Sequence, residues 1–265
     1  MSWSPRSRRS LPDLEIVARL RAAGCVFAEE EAELLTAAAA GPAELDAMVR
    51  RRAGGLPLEH VVGWAEFAGL RIAVDAGVFV PRRRTEFLVG LAVERARPGA
   101  VCVDLCCGTG AAGAVLLASL PGVEVHAADV EPAAVACARR NLEPRGGLVY
   151  EGDLFAALPG ELRGRVEVLV ANVPYVPTGE VGLLPPEARD HEPMVALDGG
   201  ADGLEVLRRV AREAPAWLAP GGRLFFETSE GQAPEAVAAV TAQGLAARAV
   251  TSEEWWATVV VATRP

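Results

Sequence analysis

Hydrophobic positions change their spacing twice along the chain, and the changes mark three stretches. In the first, Leu14, Val17, Ala18 and Arg21 recur at helical spacing, with Pro12 and Asp13 suited to a first turn and Gly24 ending the run. Two further helices are expected, one over Glu29–Ala40 stopped by Gly41-Pro42, the other from Ala43 to Arg52 before Gly54-Gly55. Three short helices without strands bury little on their own, so residues 1–55 read as a small helical domain that recognises or positions something. Arg50-Arg51-Arg52 reads as a solvated helix end near the negative pole of the helix dipole. From Leu56 to Val80 the texture is extended. Alternation across Glu66–Val74, with Ala68-Gly69 as its turn, predicts a hairpin, so residues 56–80 form a hairpin linker.

Beyond Val80, apolar runs and helical periods alternate. Helices are expected over Glu86–Ala96, Gly110–Leu120, Pro132–Leu142, Leu204–Leu218 and Ala233–Gln243. Strands are expected over Ala100–Leu105, Val123–Ala128, Leu148–Glu151, Val166–Ala171, Gly222–Thr228 and Thr258–Ala262. This alternation implies βαβ units: an α/β fold over residues 81–265 with a doubly wound, mostly parallel sheet covered on both faces. Such sheets bind ligands at the carboxyl ends of their strands.

Composition narrows the partners. The 265 residues are 51% hydrophobic and 23% charged, which suits a folded chain. All 26 bases are arginines and the acids number 35, giving a net charge of -9; residues 61–265 alone hold 18 arginines against 26 acids. A phosphate-binding face needs the opposite balance, so nucleic acid is disfavoured as a partner. Cys25, Cys102, Cys106, Cys107 and Cys137 form neither a disulfide framework nor a zinc spacing, so reduced thiols and no metal are expected. Met1 to Ser10 is rich in Arg and Ser but lacks the apolar stretch of a signal peptide. With no run of about 18 apolar residues, no membrane span is expected, and the reading is cytoplasmic. Oligomeric state leaves no mark in the sequence.

The candidate chemistry begins after the first strand of the large domain. Asp104-Leu105-Cys106-Cys107-Gly108-Thr109-Gly110-Ala111-Ala112-Gly113 contains G-x-G-x-x-G between a strand and a helix. Glycines there let the backbone approach a cofactor. Asp129 ends the second strand 21 residues after Gly108, where a carboxylate can hold ribose hydroxyls. To this point a nicotinamide dinucleotide and S-adenosylmethionine fit equally. Asp104 separates them, because a buried carboxylate repels a pyrophosphate but favours an ammonium and a sulfonium. S-adenosylmethionine is the expected cofactor. Asp153, after the third strand, is placed to accept from the adenine amino group, although it also suits a plain surface turn.

The fourth strand runs into Asn172-Val173-Pro174-Tyr175. Pro174 and Pro177 hold Val173 and Val176 out of helical geometry, which keeps backbone carbonyls open. The Asn172 side-chain oxygen and the Val173 carbonyl can accept the two N–H bonds of a planar amide or amino group, with Tyr175 packed on its plane. The four residues, Asn172, Val173, Pro174 and Tyr175, are the candidate catalytic group.

With these motifs in order, the chain resembles the protein-(glutamine-N5) methyltransferases that modify peptide chain release factors. The resemblance runs from about Gly55 to Gln232. It includes Gly55–His60, Gly63–Leu70, Gly77–Arg82 with Thr85-Glu86, the Asp104 loop, Asp129 and Asn172–Tyr175. It continues through His191–Leu197, Gly199–Leu204 and Glu227. It implies a Rossmann-like methyltransferase sheet with S-adenosylmethionine at Asp104, Cys106, Cys107, Gly108, Thr109, Gly110, Asp129, Asp153, Leu154 and Asn172. It further implies methyl transfer to the glutamine of a Gly-Gly-Gln loop. The family's usual Asn-Pro-Pro-Tyr has Val173 at its second position here, its usual glycine is Cys106, and its Pro-Arg-Pro segment reads Pro81-Arg82-Arg83-Arg84. Glu86, Glu227 and His191 are expected to hold loops or arginines rather than to react. The nearest rival is an adenine-N6 methyltransferase, which needs the same amino clamp and for which Arg82–Arg84 is the one candidate basic patch. An NAD-dependent oxidoreductase, or a domain that binds cofactor without catalysis, completes the alternatives.

Overall fold

The structure, a computed structural model, describes residues 14–265. The first turn expected at Pro12 and Asp13 lies outside the described residues. Two compact units meet in sequence between Val62 and Gly63.

The first unit is helical: α1 (Leu14–Ala22), α2 (Ala28–Ala38), α3 (Pro42–Ala53) and a short α4 (Leu58–Val62). Ile16, Val17 and Leu20 of α1 meet Leu35 of α2 and Val49 of α3 in a small core of their own. The fourth helix corrects the extended reading after Leu56. The arginine run is also corrected. Arg52 is buried, and its Nε and Nη2 donate to the Glu31 carboxylate at 2.6 and 3.1 Å. Arg50 pairs with Asp46, and Arg51 reaches the His60 carbonyl. A bidentate pair between α2 and α3 compensates two charges that would be costly to bury alone.

The second unit opens with the hairpin of β1 (Trp64–Phe67) and β2 (Leu70–Ala73), paired antiparallel with Phe67 opposite Leu70. Ala68 and Gly69 turn it with φ of 48° and 75°, the left-handed pair that a two-residue hairpin requires. There follow α5 (Thr85–Arg95), β3 (Val101–Leu105), α6 (Ala111–Ser119), β4 (Glu124–Asp129), α7 (Pro132–Leu142), β5 (Leu148–Glu151) and β6 (Val166–Ala171). After two short helices, α8 (Pro186–His191) and α9 (Met194–Leu197), come α10 (Glu205–Trp217), β7 (Leu218–Thr228), α11 (Ala233–Thr241), β8 (Ala246–Ser252) and β9 (Ala257–Thr263).

Seven strands form one sheet in the order β5-β4-β3-β6-β7-β9-β8. The first five are parallel and β9 runs against them. Both faces are packed. Along β3, Cys102 enters a core with Leu88, Leu116 and Leu142, while Val101, Val103 and Leu105 enter another with Leu207, Trp217 and Val240. That two-sided burial is why the strand reads as a continuous apolar run. The edge strand β8 was not anticipated: Ala246-Ala-Arg-Ala-Val250 is half-exposed and its pattern is weak. Among the described residues no helix is long and apolar enough to cross a membrane.

Candidate active site

Sheet order places the two sequence motifs side by side. β3 and β6 are parallel neighbours with Leu105 opposite Ala171, so the Cys106 loop and Asn172–Tyr175 leave the sheet together at its carboxyl edge. Between them lies a cavity of about 830 Å³, within the range of small-molecule and cofactor sites.

On one side, Asp104, Cys106, Cys107, Gly108 and Thr109 border the cavity. The Gly108 N–H donates to Asp129 Oδ2 at 2.8 Å, and Asp129 Oδ1 accepts the Glu131 N–H at 3.0 Å. Both Asp129 oxygens are thereby oriented, and lone pairs remain for a ligand. Burial raises the Asp129 carboxyl above its usual range, against the pull of these N–H donors. Gly110 does not border the cavity. It begins α6 at φ 76°, and a Cβ there would lie 2.9 Å from Leu142 Cδ1, so glycine is needed for packing behind the loop.

Asp104 is buried at 2% exposure, and its Oδ2 accepts the Gly113 N–H at 3.0 Å. Desolvation pushes its carboxyl up to about 7; the Gly113 N–H opposes this and Asp129 adds to it. A carboxylate so placed is stabilised by a cation brought into the cavity. Asp153 and Leu154 border the cavity beyond β5, and Asp153 Oδ2 holds Arg209 at 2.5 Å on an exposed surface.

On the other side stand Asn172, Val173, Pro174 and Tyr175. The Asn172 Oδ1 is buried and has no hydrogen-bond partner. A buried amide oxygen left without a donor is costly, and at the cavity wall it is a candidate acceptor for a ligand N–H. Tyr175 is tied at both ends. Its hydroxyl donates to Glu227 Oε1 at 2.8 Å, and its carbonyl accepts from Gln232 Nε2 at 2.9 Å. Gly203, at φ 77°, lets this turn close: a Cβ would sit 2.3 Å from the Tyr175 carbonyl oxygen. Burial and Glu227 together raise the Tyr175 phenol well above its ordinary value.

The arginine run supplies residues that sequence reasoning missed. Arg84 Nε donates to Glu227 Oε1 at 2.8 Å and its Nη2 to the Tyr175 hydroxyl at 2.5 Å, while the Thr85 hydroxyl donates to Glu227 Oε2 at 2.8 Å. Arg82 pairs at 2.5 Å with Glu192, whose other oxygen accepts the Val80 N–H. Two of the three arginines thus face buried carboxylates, so Arg82–Arg84 is not the free basic patch that an adenine-N6 methyltransferase would want. Residues 184–197, of which only His191–Leu197 was read as part of a family motif, supply a wall of the cavity through Leu184, Pro185, Pro193 and Val195. His191 ends α8 and is not among the bordering residues.

Comparison with known proteins agrees with this geometry. The Methyltransferase small domain family matches residues 69–182. The release factor glutamine methyltransferase of Geobacter sulfurreducens is 41% identical over 72% of this chain and 68% of that one. That of Mycolicibacterium smegmatis is 38% identical over 86% of each chain. The chain belongs to the release factor glutamine methyltransferase family. A solved methyltransferase from Pyrococcus furiosus shares the fold, with a TM-score of 0.56 and 17% identity over 74% of this chain and 90% of that one.

Within this family, the three departures from the usual motifs have local explanations. Val173 is buried and packs in the core with Leu204 and Leu207, so its branched side chain fills apolar space. Cys106 occupies the left-handed region at φ 53°, the conformation for which glycine is the ordinary choice. Burial raises its thiol far above the ordinary range, which makes it a poor nucleophile. Arg84, in the altered Pro-Arg-Pro segment, joins the Tyr175–Glu227 pair.

Proposed function

We propose that the chain methylates the side-chain amide nitrogen of a protein glutamine, that of the Gly-Gly-Gln loop in a peptide chain release factor, using S-adenosylmethionine. The observation that carries this reading is the unpartnered Asn172 Oδ1 beside a turn held open by Pro174. An amide nitrogen presents two N–H groups; Asn172 Oδ1 would accept one and the Val173 carbonyl the other. Those bonds fix the nitrogen and favour the positive charge that develops on it as it is alkylated. Tyr175 gives the amide plane a surface to lie on. No general base is required, since the methylated nitrogen is acidic enough to lose its proton to water.

The residues present fit the cofactor. Asp104 would face its cationic groups, the loop of Cys106, Cys107, Gly108 and Thr109 would admit it closely, Asp129 would hold ribose hydroxyls, and Asp153 with Leu154 would meet the adenine. When bound, S-adenosylmethionine supplies a methyl group already activated on a sulfonium. The same reading gives residues 1–55 the recognition of the protein substrate, residues 56–80 the link, residues 81–265 the chemistry, and the whole a cytoplasmic place beside the translation machinery.

Mass spectrometry of release factor incubated with the enzyme and S-adenosylmethionine tests it. One added methyl on the Gly-Gly-Gln glutamine is expected. An unmodified release factor, with label transferred to RNA or DNA instead, would replace this reading with the adenine one.

A further inference from the structure

The turn between β8 and β9 reads Glu253-Glu254-Trp255-Trp256, and its position follows from strand direction. β8 and β7 are each antiparallel to β9, so β8 runs the same way as β7. The turn therefore emerges at the carboxyl edge of the sheet, level with Glu227 and Thr228; Thr258 lies opposite both Thr228 and Thr251. A contact fixes it further. The Arg83 guanidinium, which borders the cavity, sits 5.8 Å from the centroid of the Trp255 ring. The turn is thus at the cavity mouth.

Trp256 is 89% exposed and holds a left-handed φ of 48°. Asparagine or glycine would adopt that backbone with less strain, and a smaller side chain would leave less apolar surface in water. Among the described residues no side-chain hydrogen bond or ring contact engages the indole. Beside it, Glu253 and Glu254 are both exposed. An exposed indole in a turn that also carries two exposed carboxylates suits a cation, and the neighbouring Trp255 ring lies 5.8 Å from the Arg83 guanidinium. Acidic flanks repel a phosphate backbone and attract lysine or arginine.

We propose that the Glu253–Trp256 turn is a docking site, separate from the methyl-accepting clamp, for a lysine- or arginine-bearing segment of the protein substrate; this rests on the protein-glutamine reading given above. Trp256 takes the cation on its ring, and Glu253 and Glu254 select for basic partners and speed encounter. The docked segment holds the substrate at the mouth while its glutamine enters the cavity.

The test has two arms on the full chain. In the first, a synthetic arginine-rich peptide is titrated calorimetrically into wild type, Trp256→Ala and Glu253→Gln/Glu254→Gln. Both variants should bind it at least about fivefold more weakly; equal affinities overturn the docking site whatever the methyl acceptor is. In the second, methyl transfer to release factor is followed. Absence of transfer by wild type would sink the glutamine reading alone, leaving the first arm to decide the docking site. With transfer, both variants should raise KM for intact release factor about tenfold at unchanged kcat, with no change on a short Gly-Gly-Gln peptide. The acid-free variant should also flatten the rise of KM with salt. A KM within twofold of wild type overturns the proposal. Trp256 is exposed, so thermal midpoints should hold, and the double glutamine variant leaves the turn's backbone intact.

Discussion

The buried Glu227 carboxylate receives the Tyr175 hydroxyl at 2.8 Å, across 52 residues of sequence, and the same oxygen accepts Arg84 Nε. The end of β7 and the turn after β6 are joined there by one acid, which Thr85 at the start of α5 also binds. Asn172 is carried by that same turn. Its aim therefore depends on a carboxylate that never needs to meet the substrate.

Removing the Tyr175 hydroxyl, which donates to Glu227 and accepts from Arg84 Nη2, should separate alignment from binding. Tyr175→Phe keeps Glu227 paired with Arg84 and Thr85, so it should cost only about 1 kcal/mol of stability. Loosening the turn should lower kcat about tenfold. The cofactor dissociation constant should stay the same, and calorimetry beside initial rates checks the split.

Asn172→Ala removes the unpartnered acceptor. Methyl transfer should fall by about 10²–10³, while S-adenosylmethionine still binds. Because the oxygen has no partner to abandon, the thermal midpoint should hold or rise slightly. Unchanged turnover would remove the amide clamp.

Asp129→Ala should do the reverse. It withdraws the acceptor of the Gly108 and Glu131 N–H groups and the proposed ribose contact, so cofactor affinity should weaken by about tenfold or more. Tight binding by the variant would show that the cofactor lies elsewhere.

Asp104 makes stability depend on pH. Its folded carboxyl is raised from 3.8 to about 7, so the native state binds more protons than the unfolded chain between those values. Its contribution to stability is therefore full below about pH 4 and is lost as pH rises toward 7, by an amount on the order of 4 kcal/mol. A cationic cofactor favours the ionised carboxyl, so its binding should tighten with rising pH and release a proton below pH 7. Urea melts and calorimetry across pH 5–8 check both slopes, and Asp104→Asn should flatten them.

Cys106→Gly should stabilise. The left-handed region costs a non-glycine residue about 1–2 kcal/mol, and the thiol's modest packing and glycine's greater freedom when unfolded offset part of that. A rise of about 2 °C in thermal midpoint is expected. An unchanged or lower midpoint would show that packing of the thiol outweighs the backbone strain.

Much of this architecture was legible because its signals are local. Pro132–Leu142, Leu148–Glu151 and Val166–Ala171 are bounded in the structure as their apolar pattern bounds them. The glycine loop and Asn172–Tyr175 are contiguous motifs, and adjacency of β3 and β6 brings them together. The partners in the long-range ion pairs were not legible, although Glu227 was expected to hold a loop or an arginine. Arg52 meets Glu31, Arg82 meets Glu192 and Arg84 meets Glu227 across 21, 110 and 143 residues. A run of arginines looks the same whether water or a distant carboxylate neutralises it. β8 was missed for a different reason: an edge strand with one partner needs few large apolar residues, and in Ala246–Ser252 the one larger than alanine is Val250.

The strand order also divides the sheet's pairings by distance along the chain. Among the described residues β8 neighbours β9, and the turn Glu253–Trp256 joins the two as a local antiparallel hairpin. β9 meets β7 from further away in the chain, with Thr258 opposite Thr228. The paired tryptophans are therefore held at the cavity mouth by that one distant pairing, of β9 with β7, and not by the hairpin that carries them.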